Sequence, residues 1–119
     1  MHPNAKFVFT ISMDIDPDRE AFFNEVYETE HIPLLLKVPG VLSATRFTTE
    51  PLAMIVNGER EIISPEAEPR YSASYELENA EVLATDAWAY AVEQGRWPTE
   101  VRPFTRNRRL VLRKITPSA

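Results

Sequence analysis

The chain contains no cysteine. That excludes disulfides, thiolate nucleophiles and iron–sulfur ligation. Histidine is almost as scarce: His2, near the N-terminus, and His31 are the only two. With no H-x-H and no H-E-x-x-H spacing, no metal centre is expected. Glycine occurs three times, and Gly40, Gly58 and Gly95 are each accounted for by a turn. None remains for a phosphate-cradling loop, so no nucleotide or other cofactor is expected by that route. No apolar run approaches the ~18 residues that span a bilayer. The first residues, Met1-His2-Pro3-Asn4-Ala5-Lys6, lack a basic stretch followed by an apolar one. No secretory signal is visible, and a cytoplasmic location is expected.

What is present suits one soluble domain covering residues 1–119. At 119 residues, 44% hydrophobic and 26% charged, the chain has the length and composition for a single core. A net charge of −5 argues against general binding to nucleic acid or an anionic membrane. Six basic residues and no acidic one nevertheless lie between Arg102 and Lys114. An RNA-recognition module would need exposed aromatics in a basic third strand with a G-F/Y-G/A-F-like core. The corresponding stretch, Arg70 to Leu77, lacks it. The basic run is instead read as an edge strand, where Arg and Lys discourage further pairing.

Hydrophobic periodicity supplies the elements. Lys6 to Met13 alternates, with Phe7, Phe9, Ile11 and Met13 on one face of a strand. Asp16-Pro17 reads as a helix start, with Asp16 as N-cap. Phe23, Val26, Tyr27, His31 and Leu34 line one stripe of a helix running to about Leu36. Pro33 has no N–H to donate to Thr29 and disfavours helical geometry at Ile32, so the helix should loosen near His31. Pro39-Gly40 stops it. Val41 to Thr49 is a second strand. Residues 50–69 form a long connection in which Asn57-Gly58 predicts a hairpin arm. Arg70 to Leu77 is a third long strand. Asn79 caps a second helix whose buried stripe is Ala80, Leu83, Ala84, Ala87, Trp88 and Ala91, and Gly95 ends it. Thr105 to Ile115 is the last strand. The order is β-α-β-β-α-β, an α+β antiparallel sheet with two helices on one face.

Tyr27…Glu30-His31-Ile32-Pro33…Leu35…Val38-Pro39-Gly40-Val41, continuing to Arg46, resembles the dimeric α/β-barrel superfamily. The nearest likeness is to EthD-like and antibiotic-biosynthesis monooxygenase-like proteins. Arg70-Tyr71…Tyr75-Glu76-Leu77, Asp86-Ala87-Trp88 and Gly95-Arg96-Trp97-Pro98 look similar to the second half of small members. Together these cover about residues 6–115. The resemblance implies a ferredoxin-like protomer whose sheet packs face to face with a second copy. Val8, Val111 and Ile115, on strand faces away from the main apolar rows, agree with a homodimer. Haem proteins also occur on this fold, which would make His31 a possible ligand.

Six residues are candidates for a site. His31 reads either as a general acid/base projecting into a cleft between helix and sheet, or as a cap on helix carbonyls or a carboxylate. Tyr27, one turn earlier, either orients that imidazole or packs in the core. Arg46 either holds a substrate carboxylate or enolate, or pairs with a Glu across a dimer. Tyr75, Trp88 and Trp97 either wall a flat aromatic ligand or fill the core. Two functions are compatible with this set. One is an enzyme acting without metal or nucleotide on an apolar or aromatic carbonyl compound: a cyclase, isomerase, dehydratase or cofactor-independent oxygenase. The other is a non-catalytic homodimer that binds a small ligand or acts as a stress-related accessory protein.

Overall fold

Alternation in the first strand puts β1 (Phe7–Ile15) at the centre of the molecule. The structure, a computed structural model, describes residues 1–117. In it β1 pairs antiparallel with both β5 (Tyr71–Leu77) and β6 (Thr105–Lys114), and β5 pairs in turn with β2 (Val41–Thr48). The sheet order β2-β5-β1-β6, with helical segments after β1 and β5, keeps the β-α-β-β-α-β order expected from the periodicity and is the ferredoxin-like α+β arrangement that the resemblance implied.

Register fixes the faces. Phe9 lies opposite Tyr75, and Tyr75 opposite Ala44; Ile11 lies opposite Ala73, and Ala73 opposite Arg46. These residues point toward the helices, and Phe9, Met13, Tyr71, Ala73, Tyr75 and Leu77 are buried there. The opposite face departs from the apolar surface anticipated at Val8, Val111 and Ile115. Its centre is a ladder of hydroxyls: Thr10 with Ser74 at 2.9 Å, Ser12 with Ser72 at 2.9 Å, and Ser43 donating to Glu76 at 2.7 Å. Val8, Phe47 and Val111 share that face by register, and Phe47 and Val111 are exposed.

The first helical run has three parts. After a 3₁₀ turn (Pro17–Arg19), α1 covers Glu20–Val26 and α2 covers Ile32–Leu36, with a π-helical turn, Tyr27–His31, between them. Asp16 does sit at the N-cap, but its side chain makes no capping bond; its carbonyl accepts the Arg19 N–H at 2.8 Å. The loosening predicted from Pro33 takes the form of the π turn, in which the Ile32 N–H reaches back to the Tyr27 carbonyl. One extra residue in that turn rotates everything after it. The buried stripe therefore passes from His31 to Leu35, which is buried, and not to Leu34 as straight-helix spacing predicted. Gly40, at φ +92°, needs its missing side chain, because a Cβ would collide with Val82 Cγ2.

The second helix is broken where one helix was predicted. A 3₁₀ turn (Ala80–Ala84) ends at Thr85, and α3 covers Asp86–Ala91. Asn79 makes no side-chain cap; Thr85 does, its Oγ1 accepting the Trp88 N–H at 3.2 Å. The break turns Ala84 and Ala87 outward and buries Val82. α3 ends before Gly95, which lies in the next turn at φ +69°. A second π-helical turn, Trp97–Val101, follows and buries Trp97 and Val101.

β3 (Leu52–Val56) and β4 (Glu59–Ile63) pair only with each other. Asn57 at φ 51° and Gly58 at φ 83° form the predicted two-residue turn. Among the described residues no helix is long and apolar enough to cross a membrane.

Candidate active site

The two π turns meet over the sheet. His31 closes the first and Trp97 opens the second, and their rings stack at 4.5 Å between centroids, 25° apart. Glu30 locks this meeting from outside. Its carboxylate accepts the Arg96 backbone N–H at 2.9 Å and forms an ion pair with the Arg96 guanidinium. It is thus a latch between the two helical turns, and Arg96 holds it below its usual pKa. Gly95 is glycine for the same reason, since a Cβ would lie 2.7 Å from Glu30 Oε1.

Beneath the stack is a cavity of about 220 Å³. Phe9, Ile11 and Tyr75 of the sheet line it on one side, and His31 and Leu35 on the other. Trp88, Val92 and Trp97 complete the walls, and Arg102, Arg108 and Leu110 stand at the β6 side. Four of the six predicted residues, His31, Tyr75, Trp88 and Trp97, therefore meet at one cavity.

His31 is 5% exposed, and its Nδ1 is buried with no hydrogen-bond partner. Burial first, then the positive charges of Arg102 and Arg108, lower its pKa to about 4. The ring is therefore neutral at neutral pH and has an acceptor or donor nitrogen to spare. A buried polar atom left without a partner is uncommon and costly, of the order of 1–3 kcal/mol.

Tyr27 backs the site without lining the cavity. Its ring meets the imidazole edge-on at 4.9 Å and 70°, and its hydroxyl shares a hydrogen bond of 3.3 Å with the Tyr75 hydroxyl. Burial raises the pKa of both phenols, so both stay protonated. Tyr75 is held in turn by Phe9, stacked at 6.2 Å, and by Trp88, edge-on at 5.8 Å.

Arg46 lies on the far side of Tyr27. Its Nη2 donates to Asn24 Oδ1 at 2.7 Å, its Nη1 pairs with Glu28 at 3.4 Å, and its guanidinium sits 4.8 Å from the Tyr27 ring centre. The Glu partner is in the same chain, and Arg46 does not line the His31 cavity.

The cations at the cavity are residues that sequence reasoning assigned to an edge strand. Arg102 is anchored, donating to the Val92 carbonyl at 2.8 Å and pairing with Glu93 at 2.9 Å. Arg108 has no carboxylate partner among the described residues. A bulge lies next to it. Ser12 lies opposite Arg109 but Asp14 opposite Arg106, so β6 carries one extra residue there, and Asn107 absorbs it at φ 52°. The bulge reverses the alternation. Arg106 faces out toward Asp16, while Arg108 joins Leu110 on the cavity side. Asp14 holds the bulge, accepting Asn107 Nδ2 at 3.1 Å and the Arg70 N–H at 2.8 Å. The available sequence signal was an Asn, tolerant of positive φ, inside a strand of otherwise regular pattern.

No protein-family model matches the chain, and no curated protein matches it in sequence. Solved structures do match. An EthD-family protein from Bacillus halodurans superposes with a TM-score of 0.58 at 16% identity, covering 92% of this chain and 99% of its own. A monooxygenase from the ActVA-Orf6 gene of Streptomyces coelicolor, solved with nanaomycin D, gives 0.61 at 14% identity over 99% and 94%. The haem-degrader MhuD from Mycobacterium tuberculosis, solved with two haems in its active site, gives 0.56 at 14% identity over 95% and 98%. The chain shares the ferredoxin-like α+β fold of these structures.

Proposed function

We propose that the cavity beneath His31 is the active site of a small-molecule enzyme acting on an apolar or aromatic carbonyl compound. One observation carries this reading: a neutral imidazole with a buried, unpartnered nitrogen shares an apolar cavity with two guanidinium groups. His31 takes a proton from the carbon next to the carbonyl. Arg108, with Arg102 beside it, stabilises the oxyanion that develops. Tyr75, Trp88 and Trp97 hold the flat body of the substrate and exclude water. Negative charge arriving beside the two arginines offsets part of what depresses His31, so the imidazole becomes a better base as the charge forms. Arg46 braces Tyr27 from behind.

The cavity volume limits the substrate. About 220 Å³ is below the ~300–1,000 Å³ of drug-sized ligand sites, so one or two fused rings fit. The haem bound by MhuD does not. A porphyrin exceeds this space. Among the finer reactions open to the site are cyclisation, isomerisation, dehydration and cofactor-independent oxygenation. Two copies pairing through their open sheet faces form the working unit.

A second reading, small-ligand binding without turnover, is favoured by the same low basicity of His31. Native mass spectrometry of protein purified from its own host identifies a retained ligand, and turnover of that ligand decides between the readings. His31→Ala should lower turnover by about 10²–10⁴-fold with the fold intact, the usual weight of a general base. Equal activity in His31→Ala and wild type would sink the enzyme reading.

A further inference from the structure

The β3–β4 arm is built in a way that an isolated protomer does not explain. It pairs with no other strand, and a two-stranded hairpin alone is marginal in water. Yet Leu52, Met54, Ile55, Ile62 and Ile63 are all large, apolar and exposed. Register divides them: Leu52, Met54 and Ile63 share one side with Glu59 and Glu61, and Ile55 and Ile62 share the other with Arg60. No single contact with its own domain would cover both sides. The radius of gyration, 16.2 Å, exceeds the ~13.5 Å of a compact domain of this length, because the arm stands away from the body.

The open sheet face supplies the complement. It carries exposed Phe47 on β2 and exposed Val111 on β6, one at each side of the hydroxyl ladder, and Arg113 lies opposite Val8 at one end of the same face. Two exposed apolar side chains and a guanidinium match an apolar hairpin side edged by two glutamates. The arm leaves the sheet directly after the β2 end that carries Phe47. A self-complementary surface of this kind is what a two-fold pair uses.

We propose that the arm is a dimer clasp: in a pair of copies, each arm lies across the open sheet face of the other. Leu52, Met54 and Ile63 cover the second copy's Phe47 and Val111, and Glu59 and Glu61 face its Arg113. The inference rests on the pairing of copies through their open faces and assigns the arm as the element that secures it.

Sedimentation of the full chain across 1–100 µM (roughly the range in which a clasped dimer forms) tests this. The wild type should dimerise. A variant with Met54→Asp and Ile63→Asp should weaken the dimer at least tenfold with unchanged near-UV circular dichroism. Amides of residues 52–63 in the wild type should gain protection from hydrogen exchange as concentration rises, a readout independent of how the variant folds. A dimer lost on Val111→Asp but unmoved by the arm variant would overturn the clasp and leave face-to-face pairing standing. A monomeric wild type would overturn both, as would a monomer whose arm is protected only on phosphatidylcholine vesicles.

Discussion

The helix-covered face of the sheet and its open face differ in chemistry as well as burial. On the covered face Phe9, Tyr75, Trp88, Tyr27 and Trp97 interlock through edge-on and stacked contacts. That packing surrounds one unsatisfied imidazole nitrogen. On the open face Thr10, Ser12, Ser72 and Ser74 satisfy one another in pairs. Polar groups with partners suit a surface that meets a second protein surface, whereas a lone buried polar atom suits a ligand. Under the proposed function the two faces would divide the work: chemistry on the covered side, assembly on the open side.

Four measurements would break or sharpen that division. Tyr75→Ala should cost most, about 3–5 kcal/mol of stability by chemical denaturation, because it empties a fully buried site held by two aromatic rings and the Tyr27 hydroxyl. A loss below 1 kcal/mol would mean that the covered face is not one packed unit.

Acid should act next. His31 takes up its proton near pH 4 in the folded chain and near 6.5 unfolded. Between those values the unfolded state binds more protons, so His31 leaves stability undiminished above pH 6.5 and removes up to about 3 kcal/mol as pH falls to 4. Denaturation midpoints measured from pH 7 to pH 4 should show this slope, and His31→Gln should flatten it. An equally steep slope in the variant would place the acid sensitivity elsewhere.

Arg108→Ala should weaken binding of an anionic aromatic ligand by about 10–100-fold, the weight of a charge-assisted hydrogen bond. Stability should hardly change, because the residue is exposed and has no carboxylate partner to abandon among the described residues. Calorimetry with the retained ligand reads the first effect and thermal unfolding the second. Ser72→Ala should be mildest, costing about 1 kcal/mol or less through the lost Ser12 hydroxyl pair. A larger loss seen only at concentrations where copies pair would move the ladder from local stability to assembly.

Much of this architecture was legible residue by residue. Pro33 announced a loosened helix next to His31, and a π turn is there. Asn57-Gly58 announced a hairpin, and both residues hold the positive φ that such a turn needs. His31, Tyr75, Trp88 and Trp97 were named as candidates without a view of their geometry. The rest depended on phase. The π turn shifted the buried stripe to Leu35, Thr85 divided the second helix, and the bulge at Asn107 turned Arg106 out of the inward row that Arg108 and Leu110 keep. Each adds or removes one residue in a regular count, and periodic patterns carry no mark of such a slip.

The sequence by itself determined the order of elements, the turns at its three glycines and the aromatic residues available for a core, because these follow from local backbone preference and side-chain period. Only the tertiary structure decided that His31 faces Trp97 with a nitrogen unpaired, that Arg46 lies outside the cavity, and that Arg102 and Arg108 stand beside it. Those positions depend on contacts between segments as distant as residues 31 and 108. Such contacts form only after strands pair and helices dock, when burial selects one packing among those that local preferences allow.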